Sequence, residues 1–217
     1  MEKLAVTDSK ESLTDRIYYN LLNKLQASEL VPGTLIDRKA LATEYNVSMA
    51  PVRDALQRLS LEGFVETRSR SATVVKAIQE EDIYGAMVLR EALETQAIRM
   101  IWGDIIHNEK ETLYALALKV DSCNSILEYW QADINFHRHL VVLSGCRRLI
   151  DTYDQVMNLG TFYQVNKYFV RLDTIQCDSH IQLLRQLLEG EKHEAEQALR
   201  NHLSNGKPIP TPKNTTI

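Results

Sequence analysis

The chain has 217 residues, 44% of them hydrophobic, enough for one large domain or two small ones with cores of their own; the pattern below reads as two. No apolar run approaches the roughly 20 residues that cross a bilayer, and the mixed-charge opening MEKLAVTDSK has no hydrophobic segment behind it, which excludes a membrane helix and a signal peptide and predicts a cytoplasmic protein. The net charge of −4 excludes a uniformly basic nucleic-acid binder, although residues 38–76 hold seven basic against four acidic side chains, a local positive patch.

The first helical pattern runs from about Thr14 to Ser28, with Ile17, Leu21 and Leu25 at i, i+4 spacing on one face. It stops before Pro32-Gly33, a pair suited to the two central positions of a tight turn. A second short helix is expected from Asp37, whose carboxylate suits an N-cap, to Tyr45, turning Ala40 and Leu41 inward. Asn46 then takes a left-handed turn, which asparagine tolerates. Ser48 is placed to cap a third helix, Pro51 falls in its first turn where no intrahelical N–H is missed, and Gly63 ends it. Val52, Ala55, Leu56 and Leu59 form one face of that helix and Arg53, Asp54, Gln57 and Arg58 the other, so one side packs and one is left open. Phe64 to Thr67 and Thr73 to Lys76 read as two short strands around the basic tip Arg68-Ser69-Arg70-Ser71.

From Glu80 onward helical stretches follow at about 80–102, 108–121, 125–144, 147–170, 174–189 and 192–204, with no convincing strand. Gly145 and Gly190 suit helix ends, and the segment Asn205 to Ile217, with three prolines, reads as a disordered tail. The expected organisation is mainly α: a three-helix head with a two-stranded wing over 1–78, an all-helical bundle over 79–204, and the tail 205–217. Cys123, Cys146 and Cys177 show no C-x-x-C spacing and read as ordinary buried thiols.

Several motifs in the first stretch stand together: Leu30-Val31-Pro32-Gly33, Leu41-Ala42, Val47-Ser48, Pro51-Val52-Arg53-Asp54-Ala55-Leu56 and Leu59-Ser60-Leu61-Glu62-Gly63. In this order they resemble the winged-helix signature of GntR-type regulators over about residues 14–76. That resemblance implies a helix-turn-helix that grips double-stranded operator DNA with its third helix in the major groove. Arg53 matches the family's DNA-contacting arginine, and a guanidinium can bond guanine bidentately or bridge phosphates. Without the surrounding motif it would read as a solvated side chain paired with a nearby acid. Arg38 is similar to a backbone-contacting position, while helix geometry alone brings Ser48 and Gln57 near the groove. The chain departs from the pattern at Met49, where the family has arginine, and at Ser71, where it has glycine. Met49 can meet a thymine methyl or simply pack, and Arg68 or Arg70 can supply minor-groove charge.

Among the six histidines, spacing sets some apart. Asp133 and His137 are four residues apart, so one helix can aim a carboxylate and an imidazole at one spot. His180 and His202 lie on later helices that antiparallel packing can bring to the same place; His107, His139 and His193 read as surface residues.

The pattern Asp82, Arg90-Glu91-Ala92-Leu93-Glu94, Asp133-x-x-Phe136-His137, His180-x-x-Leu183-Leu184 and His202-Leu203 resembles the FCD effector domain of the FadR subfamily over about residues 79–204. The resemblance implies a divalent metal held by Asp133, His137, His180 and His202, with open coordination positions for a small carboxylate effector. Three imidazoles and a carboxylate suit zinc first, with nickel, iron or manganese as alternatives. The resemblance also sets Arg90 in that cavity, where its planar fork can clamp the acid; the plainer reading is an i, i+4 pair with Glu94 on an exposed face. A homodimer on a palindromic operator, with no membrane partner, completes the expectation. Two other readings stay open: a metal-dependent enzyme fused to a DNA-binding head, for which no general base or nucleophile stands beside the proposed ligands, and a metal-free ligand-binding or dimerisation module.

Overall fold

The computed structural model describes residues 12–68, 72–167 and 179–205; Arg70, Ser71, Cys177, positions 168–170 and 174–178 of the expected helices, and all but the first residue of the expected tail lie outside them. The chain divides between Ala77 and Ile78 into two compact units.

In the first unit, α1 (Leu13–Gln26) starts at Ser12, whose Oγ accepts from Asp15 N at 3.0 Å, and buries Ile17, Leu21 and Leu25 together with Tyr18 and Leu22. At the following turn Thr34 N donates to Val31 O at 3.0 Å and Gly33 adopts φ +90°, a conformation that glycine takes without steric cost. Asp37 caps α2 (Arg38–Glu44), accepting from Lys39 N and Ala40 N at 2.8 and 3.1 Å. Leu41 and Ala42 face the core against α3, while Ala40, expected inward, is exposed on the opposite side of this short helix.

Asn46 takes φ +51° before α3 (Met49–Leu61). Ser48 precedes α3 as expected, but its hydroxyl makes no capping bond. Val52, Ala55, Leu56 and Leu59 are buried, chiefly where α3 packs on α1. Arg58 departs from the expected open face: its guanidinium lies 3.6 Å over the Tyr18 ring and pairs with Asp15 and Glu62 at 3.4 and 3.2 Å, so it ties α3 to α1.

The wing has three strands, not two. β1 (Leu35–Ile36), β2 (Val65–Thr67) and β3 (Thr73–Val75) form an antiparallel sheet in the order β1-β3-β2, with Ile36 and Thr67 both opposite Thr73. A strand of two residues is too short to carry an alternating pattern, which is why β1 escaped the reading of the sequence.

Among its described residues the second unit is helical throughout: α4 (Glu80–Ile101), α5 (Asp104–Asn108), α6 (Lys110–Asp121), α7 (Ile126–Leu143), α8 (Arg147–Lys167), α9 (His180–Glu189) and α10 (Lys192–Asn205). The short α5 was not expected; it follows Gly103, whose φ of +96° breaks α4 from it. α4 packs against α7, α8 and α10, and α6 against α7 and α9. Ile98, Ile101, Leu113, Phe136, Leu140, Leu183 and Leu199 anchor the main core, and Ala97, Val141, Tyr153 and Met157 a second. Cys123 and Cys146 are half-buried, not buried, and Cys123 Sγ donates to Lys119 O at 3.1 Å. No helix among the described residues is long and apolar enough to cross a membrane.

Candidate nucleic-acid interface and metal centre

In the first unit a cleft of about 280 Å³ is lined by Arg38 from α2, Arg53, Leu56, Gln57, Ser60 and Leu61 from α3, and Thr67 from β2. Three of the sequence candidates thus share one surface. The Arg53 side chain is 70% exposed and pairs with the adjacent Asp54 at 3.5 Å. So solvated a pair contributes little, which leaves the guanidinium available to a stronger anion. Ser48 and Met49 are exposed at the start of α3. Arg38 Nε and Nη2 donate to Thr73 Oγ1 at 2.9 and 2.6 Å, and Arg68 Nε donates to Glu66 at 2.7 Å.

The second unit gathers Asp133, His137, His180 and His202, all buried, with one ligand atom from each lying within 4.8 Å of the others. One helical turn of α7 separates Asp133 from His137. His180 is the first residue of α9, and that helix start is held by Asp121 at the end of α6. Asp121 accepts from His180 N at 2.9 Å, Ile181 N at 3.2 Å and Ser179 Oγ at 2.5 Å. His202 comes from α10, which packs on α9, and its ring centroid stands 4.6 Å from that of His180.

The ring orientation of His137 follows from the carboxylate behind it. His137 Nδ1 donates to Glu94 Oε2 at 2.6 Å, which leaves the Nε2 lone pair facing the cluster. That Nε2 is buried without a hydrogen-bond partner, and so is His202 Nδ1. His180 Nε2 lies 3.2 Å from Asp133 Oδ1; its Nδ1 is 3.3 Å from Asp121 Oδ1 but not aligned for a hydrogen bond.

Arg90 is 2% exposed, donates from Nε to Glu94 Oε1 at 2.6 Å and from Nη2 to Asp133 Oδ2 at 3.3 Å. The i, i+4 pair with Glu94 therefore exists, but in the interior beside the histidines and not on an exposed face. Tyr153 Oη also donates to Glu94 Oε1, at 3.2 Å.

Burial alone would raise the Glu94 carboxyl, but His137 and Arg90 outweigh it and bring its pKa down to about 2. Burial likewise opposes ionisation of Asp121, which its bonds to His180 and Ser179 hold at about 2. Burial first, then His137 and His180, drives His202 down to about 3; burial also lowers His137, whereas Asp121 and Asp133 outweigh burial at His180 and raise it. His137 and His202, each with its pKa lowered and a buried nitrogen left unpartnered, suit a divalent cation, and an aspartate with three histidines is a borderline donor set for one. These residues fit a metal.

Glu94, Asp121 and Tyr153 were not foreseen as parts of this site. The signal for Glu94 was present: Ile83, Ala86, Arg90, Glu94, Ala97 and Ile101 repeat at three- and four-residue steps along α4, so two charges sit in its buried stripe. His107 and His193 are exposed as expected, while His139 is half-buried, 3.5 Å from Glu109.

A winged helix-turn-helix joined to a helical unit with a buried ligand-type cluster defines a transcription regulator with a DNA-binding head and an effector domain. Residues 13–75 match the bacterial regulatory proteins of the gntR family, and residues 82–205 match the FCD domain, a domain that commonly binds metal. The chain belongs to the GntR family of bacterial regulators, in the group that carries an FCD domain. It is 22% identical over 201 residues to the HTH-type transcriptional repressor RspR of Escherichia coli strain K12, covering 89% of this chain and 86% of that one. The Nta operon transcriptional regulator of Aminobacter aminovorans is 31% identical over 123 residues, 56% of this chain and 59% of its own. Among solved structures, Escherichia coli McbR/YncC shares the fold with a TM-score of 0.64 at 21% identity, covering 89% of this chain and 94% of that one. Family and relatives are transcription regulators, not enzymes.

Proposed function

We propose that this regulator senses a small carboxylate at a divalent metal held by Asp133, His137, His180 and His202, and that binding there changes its affinity for operator DNA. The observation that carries this reading is the buried quartet with unpartnered His137 Nε2 and His202 Nδ1, set directly against the buried Arg90. Charge supports it. Arg90 and the carboxylates of Glu94, Asp133 and Asp121 sum to two negative charges around the three imidazoles, which a divalent cation balances, so the bound acid is held by the cation and by Arg90. The metal, zinc before nickel, iron or manganese, supplies Lewis acidity toward carboxylate oxygens. Arg90 holds Asp133 in place and turns its remaining donors toward the bound acid.

In this reading the chain is a homodimer whose two heads meet half-sites of a palindromic operator, and the effector acts through a differential affinity for two arrangements of those heads. Arg53 and Gln57 contact bases or phosphates in the major groove, Arg38 contacts the backbone, and Ser48 and Met49 stand at the groove end of α3. Arg68 or Arg70 supplies charge to the minor groove. Arg53→Ala is expected to weaken operator binding about tenfold or more in a gel shift at moderate salt; unchanged affinity would remove Arg53 from the interface. The sensor is tested by a thermal-shift screen of small mono-, di- and tricarboxylates with and without a chelator. A ligand at 100 times its dissociation constant stabilises by about 2.7 kcal/mol, which moves the midpoint by several degrees. The stabilisation is expected only in the metal-loaded protein; an equal shift after chelation would sever effector from metal.

A further inference from the structure

Arg38 is the first residue of α2, yet its side chain is committed to the wing. Nε and Nη2 both donate to Thr73 Oγ1, at 2.9 and 2.6 Å, and Nη2 stands 3.5 Å from Thr67 Oγ1. Thr67 and Thr73 are opposed partners across β2 and β3, and Thr73 also faces Ile36 of β1, so one side chain from α2 spans the loop end of the hairpin. Thr73 is 1% exposed, and a hydroxyl so buried needs its partner. A guanidinium carries five N–H donors in one rigid plane. Thr73 takes the edge formed by Nε and Nη2, and Arg38 also lines the cleft that Arg53 and Gln57 share.

We propose that Thr73, assisted by Thr67, is a positioning residue for DNA binding: its hydroxyl seats the Arg38 guanidinium so that the Nη1 end meets one backbone phosphate, and it couples that contact to the setting of the wing. This rests on Arg38 as a phosphate contact, as given above. A long side chain loses rotamer freedom when it binds, a loss that a seated fork has already incurred on folding. A guanidinium also discriminates by direction, so its orientation matters as well as its charge.

The test uses the full chain and a duplex selected from a randomised pool by the wild-type protein, with dissociation constants measured across a salt series. Arg38→Ala is expected to reduce the slope of log K against log salt by about 0.9, one phosphate. Thr73→Val, close in volume and lacking only the hydroxyl, is expected to weaken binding about threefold to tenfold. Thr73→Ser restores the affinity, and adding Thr73→Val to Arg38→Ala costs nothing further. An unchanged slope in Arg38→Ala overturns the phosphate contact itself. A normal slope loss in Arg38→Ala with wild-type affinity in Thr73→Val, or with fully additive losses, leaves the contact standing and overturns the positioning role. If thermal unfolding shows that the valine variant does not fold, Arg38→Lys decides. A seated fork predicts a loss close to that of Arg38→Ala, and wild-type affinity overturns the proposal.

Discussion

Glu94→Ala is expected to destabilise the helical unit by about 3–5 kcal/mol, enough to lower its unfolding midpoint by on the order of 10 °C. Glu94 is fully buried and accepts from three donors at once: Arg90 Nε, His137 Nδ1 and Tyr153 Oη. Its removal leaves a buried guanidinium with Asp133 as its remaining carboxylate, a phenol without an acceptor, and a cavity beside them. Glu94→Gln keeps the volume and separates the two roles. The amide oxygen in the Oε1 position still accepts from Arg90 and Tyr153, but the NH2 facing His137 favours the opposite ring tautomer and turns a protonated Nε2 toward the cluster. Affinity for zinc then falls about 10–100-fold, as it does when the outer partner of a ligating histidine is lost. Urea unfolding and a zinc competition titration read the two effects separately. An alanine variant as stable as wild type would mean that Arg90 finds water, and the buried network would carry no stability.

His180→Ala is expected to reduce metal content from about one divalent ion per chain to a small fraction of that, a loss greater than any outer-partner substitution produces. His180 supplies Nε2 beside Asp133 Oδ1 and is set there by the backbone bonds of Asp121 to the start of α9. With it gone, an aspartate and two imidazoles remain, and three ligands hold a borderline cation less firmly than four. The residues proposed to read DNA lie in the other compact unit, so operator affinity without effector should stay close to wild type. Elemental analysis of both proteins after identical dialysis checks the first expectation and a gel shift the second. Retention of a full equivalent by the variant would take His180 out of the ligand set.

The head was legible because its signals are local. Asp37 and Gly33 announce their roles by residue type, and the apolar positions of α3 recur at helical spacing. What escaped there depended on partners distant in sequence: a two-residue strand completed only by β3, and an arginine, Arg58, drawn onto Tyr18 of another helix. The four metal-type residues were likewise readable, two from their spacing on α7 and two from the family pattern, and the fold brings all four together. Their support was not. Nothing local marks Asp121 as the carboxylate that caps α9, 59 residues away, or Tyr153 as a donor to Glu94. The family pattern set Arg90 in the cavity, but the pairing with Glu94 was read only as an exposed-face alternative, because i, i+4 spacing is the same on a solvated surface and in a core. The stripe of α4, read whole, would have placed them inside.

The most direct measurement is an operator titration with the stabilising carboxylate from the screen, carried out on metal-loaded wild type, chelated wild type and His180→Ala. A metal-centred sensor predicts that the effector shifts operator affinity about 5- to 150-fold in the loaded wild type. The shift disappears in the other two and returns when zinc is restored to the chelated protein. A full effector response from metal-free wild type would contradict it.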